Sequence, residues 1–201
     1  MTSKNTSAKQ RLILAISGAS GAAYGICALR LLKEAGVETH LIVSKSAALS
    51  LSAELDLALS DLHAMADVVY RPADIGAAVA SGSFRTLGML VAPCSIKTLG
   101  EISSGVTQTL ISRAADVCLK ERRRLVLMVR ESPLHLGHLR AMTAVTEMGA
   151  IVAPPVPAFY TRPRSLDEMV EQTVGRALDL FGLDTGIKRW GEGIDTVAGD
   201  E

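Results

Sequence analysis

The stretch Arg11-Leu-Ile-Leu-Ala-Ile-Ser-Gly-Ala-Ser-Gly-Ala-Ala-Tyr-Gly25 decides the fold. The apolar run Leu12 to Ile16 reads as a buried strand. Ser17-Gly18-Ala19-Ser20-Gly21 is a turn of small residues, and Ala22 to Glu34 continues as a helix. A strand, a small-residue turn and a helix make an anion site. The helix start offers unpaired N–H groups and partial positive charge, and small side chains let a phosphate reach the backbone. The Gly-x-x-Gly spacing differs from the Gly-x-Gly-x-x-Gly dinucleotide fingerprint. Alone it would serve equally as a tight turn that needs glycine for its backbone angles. The rest of the chain has to decide.

Val37 to Val43 reads as a second strand, which gives a βαβ unit and therefore a parallel sheet. Ser44-Lys45-Ser46 follows at its carboxyl end, where Ser44 either caps the helix Ala47 to Glu54 or donates to a ligand. Met65 to Tyr70 reads as a short strand, and Ala73 to Ser83 as a loop or short helix. Gly88 to Pro93 is a buried strand running into Cys94-Ser95-Ile96-Lys97-Thr98 and then helical Leu99 to Ser103. Val106 to Lys120 reads as a helix with Arg113 and Lys120 on one face and Asp116 between them, a solvated ion-pair face when taken alone. Leu125 to Val129 is a further strand ending in Arg130-Glu131. Ser132-Pro133 reads as N-cap and first residue of a helix through Met148, with Gly149 ending it. Ala150 to Ala153 reads as the last strand. Pro154 to Arg164 holds four of the seven prolines and reads as an extended loop bearing Tyr160. Ser165 to Glu168 is a capping box opening a helix to about Phe181, which carries Arg176.

With 201 residues, 48% of them hydrophobic, the chain can bury one core. The pattern predicts an α/β fold: a Rossmann-like (flavodoxin-like) open parallel sheet with helices on both faces, in one domain over 11–182. Residues 1–10 read as a disordered leader and 183–201 as a tail with the one tryptophan, Trp190. Lys plus Arg equals Asp plus Glu at 21 each, which argues against nucleic acid or an anionic membrane as partner. No apolar run approaches the roughly 18 residues a membrane span requires. No signal peptide stands at the start, so a cytoplasmic setting is expected. Cys27, Cys94 and Cys118 show no paired spacing, so no metal site is expected and each reads as a small buried residue. In a doubly wound sheet the hydroxyl-bearing turns at 17–20, 44–46 and 95–98 converge at the carboxyl edge. That makes a donor-rich cleft suited to a flavin, with Arg113, Lys120, Arg130 and Arg176 as cations for a second anion.

Ser-Gly-Ala-Ser-Gly-Ala, Val-Ser-Lys, Ala-Pro-Cys-Ser-Ile-Lys-Thr-Leu, Arg-Ala-Ala-Asp-Val-Cys-Leu-Lys-Glu-Arg-Arg, Val-Arg-Glu-Ser-Pro-Leu-His and Pro-Ala-Phe-Tyr occur in this order. Over about Arg11 to Trp190 the chain thereby resembles the flavin prenyltransferases of the UbiX type, in a flavoprotein superfamily shared with flavin-dependent cysteine decarboxylases. The resemblance implies transfer of a dimethylallyl group from dimethylallyl phosphate to N5 and C6 of reduced FMN. It implies prenylated FMN as product, a UbiD-type decarboxylase as its recipient, no metal, and a homo-oligomer, a dodecamer, with flavin between subunits. Matched motif to motif, Gly18, Ala19, Ser20, Ser44, Ser95, Ile96, Lys97, Thr98 and Arg130 would contact FMN. Lys120, Arg130, Tyr160 and Arg176 would hold the allylic phosphate, with Glu54 and Arg113 nearby and Ser20 and Glu131 handling protons. Ile96 stands where the family usually has methionine, and Gly100-Glu-Ile-Ser-Ser replaces a more apolar stretch. Such cations and a tyrosine hydroxyl suit the chemistry, because an allylic C–O bond breaks with negative charge growing on phosphate. The chain has no Asp-Asp pair of the kind that holds Mg²⁺ in diphosphate enzymes. Two alternatives remain at this level. One is an FMN-dependent decarboxylase of the cysteine branch, for which a histidine early in the chain is expected; position 20 is serine and His40 falls inside a strand. The other is a flavin carrier serving a partner decarboxylase.

Overall fold

The structure, a computed structural model, describes residues 9–191. Within them the elements run β1 (Arg11–Ile16), α1 (Ala22–Glu34), β2 (Glu38–Val43), α2 (Lys45–Glu54), α3 (Leu59–Ala64), β3 (Val68–Tyr70), β4 (Gly88–Cys94), α4 (Ile96–Ser103), α5 (Leu110–Lys120), β5 (Arg124–Val129), α6 (Leu136–Glu147), β6 (Ile151–Val152) and α7 (Leu166–Asp179). Single 3₁₀ turns lie at Ala78–Ala80 and Phe159–Thr161. The strands form one parallel sheet of order β3-β2-β1-β4-β5-β6. This is the doubly wound Rossmann order, whose switch point falls between β1 and β4.

Alternation along the strands explains the two layers. Leu12, Leu14 and Ile16 of β1 face a core shared with Leu29 and Leu32 of α1 and Val174 and Leu178 of α7. Ile13 and Ala15 face the opposite core, with Leu99 of α4, Ala114 and Cys118 of α5 and Val145 of α6. A strand covered on both faces needs apolar residues at both parities, which is why the strands read as continuous apolar runs.

Four expectations are revised. Residues 106–108 stay outside α5, because the Thr109 hydroxyl accepts from Ser112 N at 3.3 Å and caps the helix there. Ser132-Pro133 does not start α6: the Ser132 N–H is taken by the Glu131 carboxylate at 2.9 Å, and the cap is His135, whose Nδ1 accepts from Gly137 N at 3.0 Å. Helix α3 was not expected; it is short and buries Leu62 alone, too little for a periodicity. Residues 183–191 lie against α7, where Ile187 approaches Gly175 and Leu183 is buried. Residues 1–8 of the expected leader and 192–201 of the expected tail lie outside the described residues. Among the described residues no helix is long and apolar enough to cross a membrane.

Candidate active site

The switch point is tied by a single hydroxyl. Ser17, fully buried at the end of β1, donates to Pro93 O at 2.9 Å and accepts from Ser95 N at 2.7 Å. Its own N–H also donates to Pro93 O, at 3.2 Å. The turns after β1 and β4 are thereby locked side by side. The turn after β2 joins them: Ser44 N donates to Ile16 O at 3.0 Å, and Ser46 packs so closely on Gly18 that a Cβ there would lie 2.2 Å from its Oγ. The three hydroxyl-bearing turns do meet at the carboxyl edge.

Ser44 and Ser95 are both N-caps. Ser44 Oγ accepts from Ala47 N at 3.0 Å, and Ser95 Oγ accepts from Thr98 N at 3.3 Å while donating to Thr98 Oγ1 at 3.1 Å. The amides of Ile96 and Lys97 precede the one that Ser95 takes, so they belong to the orphan donors of a helix start. Ser44, Lys45, Ser46, Ser95, Lys97 and Thr98 line one cavity of about 520 Å³. Lys97 reaches into solvent and pairs with Glu101 at 3.1 Å. Two helix starts and two lysines fit a flavin phosphate and its polyol chain.

The start of α1 differs from expectation. Gly21, at φ +103°, and Ala22 donate their N–H groups to one oxygen of Glu54, at 2.8 and 3.0 Å. The donors expected to be unpaired are thus served by a carboxylate from the end of α2, and an incoming phosphate is left to the helix starts of α2 and α4. Partial burial would raise the Glu54 pKa, but the amides of Gly21 and Ala22, a hydrogen bond from Ser20 and the charge of Arg130 outweigh it and hold the carboxyl below its ordinary 4.5. Ser20, Glu54 and Arg130 therefore form one cluster at the rim. Arg130 is fixed there by its N–H to Cys94 O at 3.0 Å, and Glu131 follows it, exposed.

Tyr160 and Arg176 come together in a second cavity of about 300 Å³, between the proline-rich loop, α7 and the ends of β5 and β6. Gln172 and Thr173 add polar groups to walls of Met128, Ile151 and Ala177. Neither Arg113 nor Lys120 lines the Tyr160–Arg176 cavity. Arg113 pairs with Asp116 at 2.7 Å, and Lys120 pairs with Glu121. Helix α5 starts at the carboxyl edge, where Leu110 N meets Pro72 O at 2.9 Å, and ends next to the first residue of β5. At 1.5 Å per residue that puts Lys120 roughly 15 Å away, at the amino edge. Cys94 is buried and its thiol is pushed up to about 12 by desolvation, as fits a packing residue.

Sequence reading missed the surroundings of Arg176. Asp179, Arg189 and Gln172 all bear on it, as described below. The one available signal was the spacing of Arg176 and Asp179, three apart on a helix.

The chain matches the family model described as Flavoprotein over residues 1–177. Flavin prenyltransferase UbiX of Escherichia coli K12 is 56% identical over 175 residues, 87% of this chain and 93% of that protein. The crystal structure of AnUbiX (PadA1) in complex with FMN and dimethylallyl pyrophosphate is 52% identical, with a TM-score of 0.89 over 90% of this chain and 97% of that one. A dodecameric FMN-dependent Ubix-like decarboxylase from Escherichia coli O157:H7 is 46% identical, with a TM-score of 0.87 over 90% of this chain and 99% of that one.

Proposed function

This chain belongs to the Flavoprotein family, in its flavin prenyltransferase branch, and from that premise we propose that it joins a dimethylallyl group to reduced FMN at the rim between β1, β4 and α7. It is a flavin prenyltransferase that uses dimethylallyl phosphate as donor. The observation that carries the reading is the presence of two unlike pockets in one fold, one beyond the ends of β2 and β4 and one at the ends of β5 and β6. One offers capped helix starts and lysines, and the other an arginine and a tyrosine over apolar walls.

FMN supplies the nucleophilic N5 and C6. Ser44, Ser95, Ile96, Lys97 and Thr98 bind its phosphate end, while Gly18, Ala19 and Ser20 flank the ring and Arg130 closes the rim. Tyr160 and Arg176 take the phosphate of the donor and stabilise the charge that grows on it as the allylic bond breaks. Apolar walls at Met128 and Ile151 keep water from the carbon that becomes positive. Ser20, held by Glu54, and Glu131 move the proton lost when the ring closes. Arg113 and Lys120 act from a neighbouring copy in an oligomer, for which the dodecameric relative is the precedent. The reaction as read here needs no metal, occurs in the cytoplasm, and hands prenylated FMN to a UbiD-type decarboxylase.

The cysteine-decarboxylase reading is not favoured. His40, its one early histidine, is buried in β2 between Tyr70, at 3.0 Å, and Glu38, at 2.9 Å, away from the rim. The test is anaerobic incubation with reduced FMN and dimethylallyl phosphate, followed by mass spectrometry. A flavin heavier by one prenyl unit is expected; unchanged FMN would sink the reading.

A further inference from the structure

The segment after α7 returns along it as a strap. Lys188 is held by Gln172, whose Nε2 donates to Lys188 O at 2.7 Å and whose Oε1 accepts from Lys188 N at 3.1 Å. Lys188 Nζ donates to Thr161 O at 3.4 Å, and Trp190 stands edge-on to Tyr160 with ring centroids 5.2 Å apart. Between them, Arg189 sets its two terminal nitrogens on the two oxygens of Asp179, at 2.6 and 2.8 Å. A second acid, the exposed Asp184, lies 3.6 Å from Arg189.

Arg176 stands one turn before Asp179 on α7, and the two form a loose ion pair at 3.7 Å, longer than a hydrogen bond. An arginine and an aspartate at this spacing can close to a hydrogen-bonded pair. Here the carboxylate is only 10% exposed and committed to Arg189 in a bidentate fork, whereas the Arg176 side chain remains 64% exposed beside Tyr160. The strap therefore has an electrostatic consequence as well as a packing one.

We propose that Arg189 is a positioning residue that keeps Asp179 from closing on Arg176, and so keeps the Arg176 guanidinium available to the phosphate of the allylic donor. This rests on reading the Tyr160–Arg176 cavity as the phosphate site. Remove Arg189, and Asp179 closes on its helical neighbour and competes with the phosphate for it. Remove Asp179 as well, and there is nothing left to neutralise Arg176.

The test is a double-mutant cycle on the FMN-loaded protein with Arg189→Ala, Asp179→Asn and the pair. Two quantities are read: KM and kcat for dimethylallyl phosphate, and the dissociation constant of inorganic phosphate by calorimetry, which needs no turnover. Arg189→Ala should weaken both phosphate binding and KM by on the order of tenfold with kcat little changed. The double variant should return to within about twofold of the parent protein, a rescue that a purely structural strap would not give. FMN affinity is measured for every variant, and Arg189→Gln replaces the alanine variant if truncation lowers it. Phosphate binding unaffected in Arg189→Ala, or a double variant as weak as the single one, overturns the proposal. A parent protein that binds phosphate in this pattern but prenylates no flavin would overturn the activity reading and leave this one standing.

Discussion

Ser17 and Glu54 show how single side chains decide what the rim can do. Ser17→Ala removes a hydroxyl with two buried partners and leaves Pro93 O and Ser95 N facing each other without it. A loss of about 1–3 kcal/mol is expected, read as a lower urea midpoint, together with weaker FMN binding because the turns after β1 and β4 are no longer clasped. Glu54 acts through charge. Its folded pKa lies below the ordinary 4.5, so its contribution to stability is complete above pH 4.5 and fades as pH falls through the lower folded value. Glu54→Gln should therefore flatten stability against pH in that acid range, in thermal melts run from pH 5 downward. An unchanged acid limb would show that the carboxylate contributes nothing there. At this scale the sequence was legible wherever a residue acts within its own turn, as Ser44 and Ser95 do as caps. Ser17 sat in the expected donor set but is spent on the scaffold, because its partners lie 76 and 78 residues further along. Arg189 was hidden at far shorter range, because it lies ten residues past Asp179 in a segment without helical or strand periodicity.

Helices and strands were legible to the extent that their faces are apolar. Helix α1 was found with its bounds intact, since its start follows a glycine turn and its buried face is long. The short α3 was not, because it buries Leu62 alone, and the delayed starts of α5 and α6 were not, because the caps at Thr109 and His135 override the longer pattern read from the sequence. Gly25 marks how tightly α1 is seated. A Cβ there would lie 2.5 Å from Ile16 Cδ1 and 2.8 Å from the carbonyl oxygen of Ala92. The isoleucine can turn aside, but the β4 backbone cannot. Gly25→Ala should cost about 1–3 kcal/mol and lower the melting temperature, with α1 pushed off β1 and β4. A variant as stable as the parent would mean that the helix sits higher on the sheet than described.

For the molecule as a whole, the placement of Lys120 is the informative fact. It stands at the amino edge, a helix length from Ser20 and Arg130, so any part it takes in the reaction comes from another copy. Mixing and re-assembling two inactive variants, Lys120→Ala and Arg130→Ala, should restore a minority of intact sites and hence measurable prenylation. A mixture as inactive as its components would put Lys120 outside the site. No reading of one chain could have separated these cations, since a motif gives order along the sequence and not which copy a residue serves. The sheet has a quieter consequence. Its two borders are β3 and β6, only three and two residues long, and both end in turns or loops. Borders so brief give a foreign strand almost nothing to hydrogen-bond along. The fold can thus be held at high concentration while remaining protected from runaway strand-to-strand growth into fibrils.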